Sequence, residues 1–381
     1  SLFLLVLVLV TASLTGCGKS QETESSSSGD VIKIGVFEPM TGAQAAGGEM
    51  TVEGIKLANE AKGEVLGKKV ELVVVDNKSD KVEAANAVSR LIDKDKVVAI
   101  IGSYSSSLSM SAGDIVKKAK VPAVGCSPTN PLVTLNNDYY FRVCFIDPFQ
   151  GTVMANYAVN DLGAKTAAII QDVNQDYSVG LSKYFIDSFK ELTGDENSIV
   201  EMTSYNTGDQ DFTAQLTNVK AKNPDVIFAP GNYGECALLI KQARDLGIEV
   251  PVLGGDTWEA PEFLQIGGNA VEGAVFSTHF TAEAPVTEKS TVFLDEYEAK
   301  FEKEANAFAA LGYDAYMVIL DAIERGNSTD SEDIRDKLAE TKDFVGATGN
   351  ITIDENGDAV KSAVIKNVDG GKFVYLTTVE P

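Results

Sequence analysis

Ile101-Gly102-Ser103-Tyr104, followed by a helical pattern and then by Val121-Pro122-Ala123-Val124-Gly125, decides how this sequence is expected to fold. A second unit of the same kind runs from Pro230-Gly231-Asn232-Tyr233 to Val250-Pro251-Val252-Leu253-Gly254. In the first unit Gly102 lies 20 residues before Pro122, and in the second unit Gly231 lies 20 residues before Pro251. The equal spacing predicts two similarly built strand–loop–helix–strand units, although any two such units resemble each other to some degree.

Short apolar runs alternate with helical patterns over residues 31–276, and 44% of the sequence is hydrophobic, which is enough for sizeable cores. Buried parallel strands are predicted at residues 31–36, 70–75, 97–101, 121–124, 167–170, 225–229, 250–253 and 274–276. Helices are predicted between them, for example at residues 52–61, 81–92, 110–119 and 235–246. This alternation is typical of α/β folds with doubly wound sheets, here in two lobes.

The part of the chain that follows residue 280 has a different pattern. Helices are predicted at residues 293–309 and 310–324. Antiparallel strands with glycine turns are predicted at residues 351–353, 363–366 and 373–379, with a turn at Asp354-Glu355-Asn356-Gly357.

The first residues indicate export and anchoring. The apolar run at residues 2–10 is too short for a membrane-spanning helix and is typical of a signal peptide. Leu14-Thr15-Gly16-Cys17 follows it and resembles the lipobox of bacterial lipoproteins, which implies acylation of Cys17; an ordinary signal peptide with a chance cysteine is the alternative. Residues 18–30 are rich in Ser and Glu and are predicted to be a flexible tether.

Charge and cysteine content narrow the function classes. The net charge of −24 argues against binding to nucleic acid and against docking on an anionic lipid surface. Cys126, Cys144 and Cys236 show no CxxC spacing, so they do not support a zinc site or a redox motif, and buried free thiols are expected. No metal and no cofactor are predicted.

A set of short motifs, in this order and spacing, resembles the type I periplasmic solute-binding proteins, in the branch that binds leucine, isoleucine and valine. The motifs are Ile34-Gly35-Val36, Pro39-Met40-Thr41-Gly42, Ile100-Ile101-Gly102, Ser105-Ser106-Ser107, Ser127-Pro128-Thr129-Asn130-Pro131, Gln175-Asp176-Tyr177, Gly231-Asn232-Tyr233, Lys241-Gln242-Ala243-Arg244, Gly254-Gly255-Asp256 and Gly312-Tyr313-Asp314-Ala315.

The resemblance implies two lobes joined by three crossovers, with the ligand between them. Lobe 1 would comprise residues 31–146 plus 280–349, and lobe 2 residues 147–279 plus 350–381. It also implies a monomeric, non-enzymatic protein outside the cytoplasm that delivers a free amino acid to the membrane permease of an ABC transporter.

Several polar residues at strand ends are candidate ligand contacts. Ser105 and Ser106 precede a helix whose free N–H groups and positive dipole end suit a carboxylate; the resemblance assigns that role to Ser106, and a simple helix cap is the alternative. The resemblance also implies that the Ser127 carbonyl and the Thr129 hydroxyl hold the amino-acid ends, although the segment could be a plain Pro-rich turn.

The second lobe supplies the complementary candidates. The internal repeat equates Ser127 with Asp256, where the resemblance implies a carboxylate that pairs with the ligand ammonium. A capping box from Asp256 to Glu259 is the alternative. Tyr177 and Tyr233 are expected on loops that close over the ligand, with surface packing as the alternative.

One position departs from the family pattern. The family often has an aromatic residue in the first loop, and this chain has Gly47 there. We expect a wider pocket, or a replacement wall from Trp258 or another residue.

Other functions remain open at this point. A serine hydrolase is disfavoured because no G-x-S-x-G motif occurs, and His279, the only histidine, is expected to be structural. A sensory lipoprotein, or a binder of short amides or urea, would share the same fold.

Overall fold

The computed structural model describes residues 31–381. The predicted signal peptide, the lipidation site at Cys17 and the tether at residues 18–30 lie outside the described residues. Within residues 31–381, the strands form two large sheets, one of six strands and one of seven, and a small hairpin. The predicted α/β class with two doubly wound lobes is confirmed.

The first sheet has the strand order β2-β3-β1-β4-β5-β6 and is parallel except for the β2–β3 pair. Its strands are β1 (Ile32–Glu38), β2 (Glu64–Val65), β3 (Lys68–Asp76), β4 (Ala99–Ile101), β5 (Ala123–Gly125) and β6 (Tyr140–Arg142). The three short strands β4, β5 and β6 are buried along their whole length, as expected for strands covered by helices on both faces.

The second sheet has the order β15-β14-β11-β10-β9-β7-β8. Its strands are β7 (Ala167–Asp172), β8 (Ile199–Tyr205), β9 (Val226–Phe228), β10 (Val252–Gly254), β11 (Val275–Thr278), β14 (Ala363–Asp369) and β15 (Lys372–Val379). Strand β14 pairs antiparallel with β11, and β15 pairs antiparallel with β14 across a turn at Gly370 and Gly371, both with positive φ. The prediction of an antiparallel tail is confirmed for these two strands.

Helices cover both sheets. They are α1 (Ala45–Ala61), α2 (Lys81–Arg90), α3 (Ser106–Ala119), α4 (Asp147–Asn156), α5 (Asp176–Thr193), α6 (Thr213–Lys222), α7 (Tyr233–Asp245), α8 (Pro261–Gly267), α9 (Glu288–Phe301), α10 (Ala307–Gly326) and α11 (Ser331–Ala339). Helices α1 and α10 pack very closely, because a Cβ at Gly54 would lie 1.8 Å from the Ala309 carbonyl oxygen. No helix within residues 31–381 has the length and apolarity that a membrane crossing requires.

The prediction of a continuous helix over residues 293–309 is wrong. Helix α9 ends at Phe301, because Glu302 adopts a left-handed conformation (φ 53°). A new helix, α10, then begins after Asn306, whose side chain accepts a hydrogen bond from the Ala309 N–H. Apolar periodicity continued through this break, so the pattern alone did not reveal it.

Within residues 31–381, the chain passes between the two sheets three times, at residues 143–146, 279–287 and 352–362. Strand β13 (Gly349–Ile351) forms a hairpin with β12 (Phe344–Gly346). Ile351, Ile353 and Ala359 pack in the core of the first lobe. We therefore propose that lobe 1 extends to about residue 360, beyond the boundary at 349 expected from the sequence, while the rest of the division into lobes stays as proposed.

Candidate functional site

At one rim of the space between the lobes, the amino end of α5 touches lobe 1. The Asp176 N–H donates to Ser107 Oγ at 2.8 Å, and the Asn130 side-chain amide donates to the Asp176 carbonyl oxygen at 2.8 Å. The Asp176 carboxylate also pairs with Lys81 at 2.9 Å. The lobes therefore meet directly at the start of α5, and Tyr177, which was expected on a loop, lies in the first turn of this helix.

At the other rim, the amino end of α7 touches the first loop of lobe 1. The Asn232 side-chain amide donates to the Ala43 carbonyl oxygen at 2.9 Å, and the Ala46 N–H donates to the Tyr233 hydroxyl at 3.2 Å. Tyr233 thus spans the two lobes as the first residue of α7. Hydrogen bonds thus bridge the lobes at both rims, and Ser106, Ser127 and Asp256 between them are buried.

The amino end of α3 lies inside these rims, on the lobe 1 side. Ser106 Oγ accepts a hydrogen bond from the Asn130 N–H at 3.1 Å, which ties the loop after β4 to the loop after β5. Ser105 occupies the cap position of α3, but its side chain makes no capping hydrogen bond. The first N–H groups of a helix have no partner within the helix, so this end can bind an anion.

Ser127 and Thr129 lie beside this helix end, because β4 and β5 are parallel neighbours and their loops leave the same edge of the sheet. Ser127 Oγ donates to the Tyr104 carbonyl oxygen at 3.0 Å. Thr129 is fully buried, and its carbonyl oxygen accepts from the Asp147 N–H at 2.9 Å. The predicted lobe 1 contacts are therefore brought together in one place.

Asp256 follows β10 in lobe 2 and is almost completely buried. One carboxylate oxygen accepts a hydrogen bond from the Tyr177 hydroxyl at 2.8 Å, and the other lies 2.8 Å from His279 Nε2. The capping-box alternative is wrong, since the side chain makes no such bond and Glu259 instead bonds Thr278 and Lys366. Tyr177 lies in the first turn of α5 and holds the carboxylate in place.

His279 follows β11 directly and was missed as part of the site. Its ring stacks on Phe145 with centroids 3.9 Å apart. Because a carboxylate oxygen can only accept, the hydrogen bond to Asp256 requires that His279 Nε2 carries the proton. The other ring nitrogen, Nδ1, is buried and has no hydrogen-bond partner among residues 31–381. The signal available in the sequence was a single histidine placed directly after a buried strand.

Helix α4 supplies two further polar residues that sequence reasoning did not identify. Gln150 Oε1 accepts from the Asp256 N–H at 3.0 Å and from the Ser277 hydroxyl at 2.8 Å, so it fixes the loop after β10. The Gln150 amide donates to Asp147 at 3.1 Å. Burial raises the pKa of Asp147 to about 7, and the negative charge of Asp256 acts in the same direction.

Gly47 does not open the pocket as expected. A Cβ at Gly47 would lie 2.3 Å from Tyr104 Cε2, so the Tyr104 ring occupies the space that a larger side chain there would need. The Tyr104 ring also packs edge-to-face on Phe308, with centroids 4.9 Å apart. Tyr104, which follows β4, is therefore the candidate for the replacement wall, and its buried hydroxyl has no hydrogen-bond partner among residues 31–381.

Trp258 does not provide that wall. It is fully buried in the second lobe, where it stacks on Phe263 with centroids 4.8 Å apart. A Cβ at Gly254 would lie 2.2 Å from the indole ring, so the ring packs beneath the end of β10.

The remaining sequence candidates behave as simple core groups. Cys126, Cys144 and Cys236 are free, buried thiols. Within residues 31–381, no group of three or more His, Cys, Asp or Glu side chains is arranged to hold a metal ion.

Comparison with known proteins identifies relatives of this chain. The chain matches a family model described as periplasmic binding protein over residues 31–372. It is 31% identical over 355 residues to Leu/Ile/Val-binding protein homolog 3 of Brucella melitensis, an alignment that covers 91% of this chain and 93% of that protein.

Two solved structures are also similar. The leucine-binding protein LivK from Thermotoga maritima is 48% identical with a TM-score of 0.89, covering 92% of this chain and 99% of that one. The branched-chain amino acid transporter substrate-binding protein LivJ from Streptococcus pneumoniae, solved with isoleucine, is 36% identical with a TM-score of 0.86, covering 92% and 100%. The resemblance stated from the sequence is confirmed, and this chain belongs to the periplasmic binding protein family.

Proposed function

We propose that this protein binds a free L-amino acid with an apolar side chain between its two lobes and delivers it to the permease of an ABC importer. The observation that carries the proposal is the pairing of an anion site with a cation site across one closed cleft. Asp176 bonds Ser107 at the start of α3, and the next residue, Tyr177, bonds Asp256. One turn of α5 therefore links the helix end to the buried carboxylate.

The two ends of an amino acid fit these two sites. The ligand carboxylate would accept hydrogen bonds from Ser106 and from the first N–H groups of α3, where the helix dipole favours negative charge. The ligand ammonium would donate to Asp256, to the Ser127 carbonyl oxygen and to the Thr129 hydroxyl. Asp256 has acceptor capacity left, because a carboxylate offers about four lone-pair sites and the protein uses two.

The surroundings of the cleft favour an apolar ligand side chain. Tyr104, Phe308 and Met50 from lobe 1 pack in one hydrophobic cluster with lobe 2 residues, among them Tyr233. The relatives named for leucine, isoleucine and valine binding, and the pneumococcal structure with isoleucine, support the same choice. Because Tyr104 fills the space beside Gly47, we expect valine, isoleucine and leucine to bind better than phenylalanine.

A hydrolase is not favoured by the geometry of the serines. Ser106 is bonded to the Asn130 N–H, and Ser127 to the Tyr104 carbonyl oxygen. The imidazole of His279 is directed to Asp256. A nucleophilic serine needs a base within hydrogen-bond reach, and neither serine is bonded to the histidine.

Calorimetric titration with matched ligands tests the proposal. Leucine should bind, whereas 4-methylpentanoate, which lacks the ammonium, and 3-methylbutylamine, which lacks the carboxylate, should each bind far more weakly. Leucine at 100 times its Kd should also stabilise the protein by about 2.7 kcal/mol. Equal affinity for leucine and either truncated analogue would refute the two-site arrangement, and so would the recovery of only sugars or nucleosides by mass spectrometry of the unfolded protein.

We also propose that Cys17 carries a lipid that holds the protein at the outer face of the cell membrane. The support is the segment Leu14-Thr15-Gly16-Cys17 and the Ser-rich residues 18–30 after it. Such a tether would keep the binding lobes close to the permease while leaving them free to rotate.

A further inference from the structure

The imidazole of His279 connects the proposed ammonium site to two of the segments that join the lobes. The residue begins the crossover at residues 279–287, and its ring stacks on Phe145 in the crossover at residues 143–146. Its Nε2 atom is 2.8 Å from Asp256 Oδ2, and both side chains are 2% exposed. A hydrogen bond to a buried carboxylate therefore originates at the hinge itself.

We infer that His279 is a positioning residue for Asp256 and that protonation of His279 weakens amino-acid binding; this inference rests on the proposed function. Neutral His279 donates one hydrogen bond and leaves the full negative charge of Asp256 for the ligand ammonium. Protonated His279 neutralises that charge before the ligand arrives. Two cations would then share one carboxylate in a site shielded from water, where their repulsion is weakly screened.

The second ring nitrogen of His279 gives an independent reason to expect that protonation weakens amino-acid binding. In the closed arrangement, Nδ1 of His279 is buried and has no partner among residues 31–381. A proton on Nδ1 would be a buried donor without an acceptor, which is unfavourable. Protonation of His279 therefore disfavours closure as well as the ammonium contact, so acid should promote release of the ligand.

Other ionisable groups surround this pair on every element packed against it. They are Asp147 on α4, Tyr177 on α5, Glu259 after β10, Lys366 on β14, Arg142 on β6, Cys144 between β6 and α4, and Tyr104 and Glu38 on the lobe 1 side. Burial raises the pKa of Asp147 to about 7 and that of Glu38 to about 8. Variants of these two acids must therefore accompany any variant of His279.

The test is the affinity for leucine, measured by calorimetry from pH 5 to pH 8, the range in which an imidazole changes its charge. The proteins are wild type, His279→Gln, His279→Phe, Asp147→Asn and Glu38→Gln, all without a polyhistidine tag. One linked proton changes affinity by up to about tenfold per pH unit, and we expect wild type to lose about tenfold between pH 8 and pH 5.

His279→Gln should vary by less than about twofold over this range, because its amide can donate to Asp256 but does not titrate. His279→Phe keeps a ring against Phe145 without a donor, so it should bind more weakly than His279→Gln at pH 8. Asp147→Asn and Glu38→Gln should keep the loss of affinity at low pH. Because the chain has one histidine, nuclear magnetic resonance can follow its imidazole directly, and leucine added at acidic pH should shift that signal toward the neutral form.

The outcomes separate the two claims. A wild-type affinity independent of pH, or a His279→Gln protein with the wild-type pH dependence, would overturn the role of His279 while amino-acid binding stands. Loss of the pH dependence in Asp147→Asn alone would assign the proton to Asp147 and also overturn it. Absence of amino-acid binding at every pH would refute the proposed function together with this inference.

Discussion

Replacement of Asp256 by Asn tests whether the negative charge of this carboxylate binds the ligand ammonium or whether the side chain has only a structural role. Asn has nearly the same size, and its side chain can keep both observed hydrogen bonds. Its oxygen can accept from His279 Nε2, and its amide can donate to the Tyr177 hydroxyl, which accepts as well as donates. The substitution therefore removes the negative charge with little change in packing.

The expected loss of affinity follows from burial. Asp256 is 1% exposed, so a ligand ammonium bound to it is removed from water. Breaking such a buried pair typically costs about 2–5 kcal/mol, mostly from the charge that is left unpaired. At about 1.4 kcal/mol per factor of ten, Asp256→Asn should weaken leucine binding by at least about 30-fold. The melting temperature without ligand should change little.

Asp225→Asn is the matched control for this change. Asp225 lies at the amino end of β9, whereas the candidate site lies at the carboxyl ends of the strands. Its carboxylate accepts hydrogen bonds from the N–H groups of Lys165 and Thr166. The Asp225→Asn substitution removes the same unit of negative charge as Asp256→Asn from a protein of net charge −24. Its affinity for leucine should stay within about twofold of wild type, because distant exposed charges are screened by salt.

Calorimetric titration of the three proteins with leucine decides the question. If Asp256→Asn bound leucine within about threefold of wild type, a difference under about 0.7 kcal/mol, then Asp256 would not be the ammonium partner. A large loss of affinity in Asp225→Asn as well would mean that the effect reflects total charge and not this site.

Three further changes give separate tests. Gly47→Ala should destabilise the protein by about 1–3 kcal/mol in thermal unfolding, through overpacking against Tyr104. The double variant Gly47→Ala with Tyr104→Ala should recover part of that loss. A Gly47→Ala protein as stable as wild type would contradict the close contact. Glu38 has its pKa raised by burial from 4.5 to about 8, so the folded protein retains a proton that the unfolded chain releases in this range, and stability falls as the pH rises through it. Glu38→Gln should therefore reduce the decrease in melting temperature between pH 5 and pH 8, and an unchanged decrease would show that Glu38 is ionised in the folded protein. Cys17→Ser, expressed with a complete signal peptide, should move the protein from the detergent phase to the aqueous phase, and unchanged retention would remove the lipid-anchor proposal.

The sequence was sufficient to predict the two sheets and the strand ends at which the candidate site residues lie, because both depend on local patterns. Buried strands have continuous apolar runs, and parallel neighbours place their terminal loops at one edge of a sheet. The strand pattern placed Ser106, Ser127 and Asp256 after β4, β5 and β10, whereas their expected roles as ligand contacts came from the family resemblance. The break between α9 and α10 was predicted at residues 309–310 instead of 302–306, because the left-handed residue Glu302 interrupts the helix without interrupting the apolar pattern.

Contacts between distant segments were the part that local patterns could not provide. The ring of Tyr104 meets Gly47 only because β1 and β4 are parallel neighbours, so that the loop after β4 and the helix after β1 lie at the same edge of the first sheet. Likewise, His279 and Asp256 belong to loops after adjacent parallel strands, β11 and β10, whose pairing is clear only once the strand order is known. A histidine at such a strand end should therefore be tested against every acid that follows a neighbouring strand before it is assigned to the core.

The contacts of Asp256 suggest a physical link between closure of the lobes and the positive charge of a ligand ammonium. Tyr177 bonds Asp256, and its neighbour Asp176 bonds lobe 1 through Ser107 and Asn130, so one end of α5 serves both the rim and the carboxylate. His279 approaches the same carboxylate from the hinge. A ligand ammonium bound to Asp256 would thus contact a carboxylate that lobe 2 and the hinge hold in place. We therefore expect the closed form to be favoured only by a ligand that carries a positive charge at that point, which is the selectivity that a carrier of free amino acids requires.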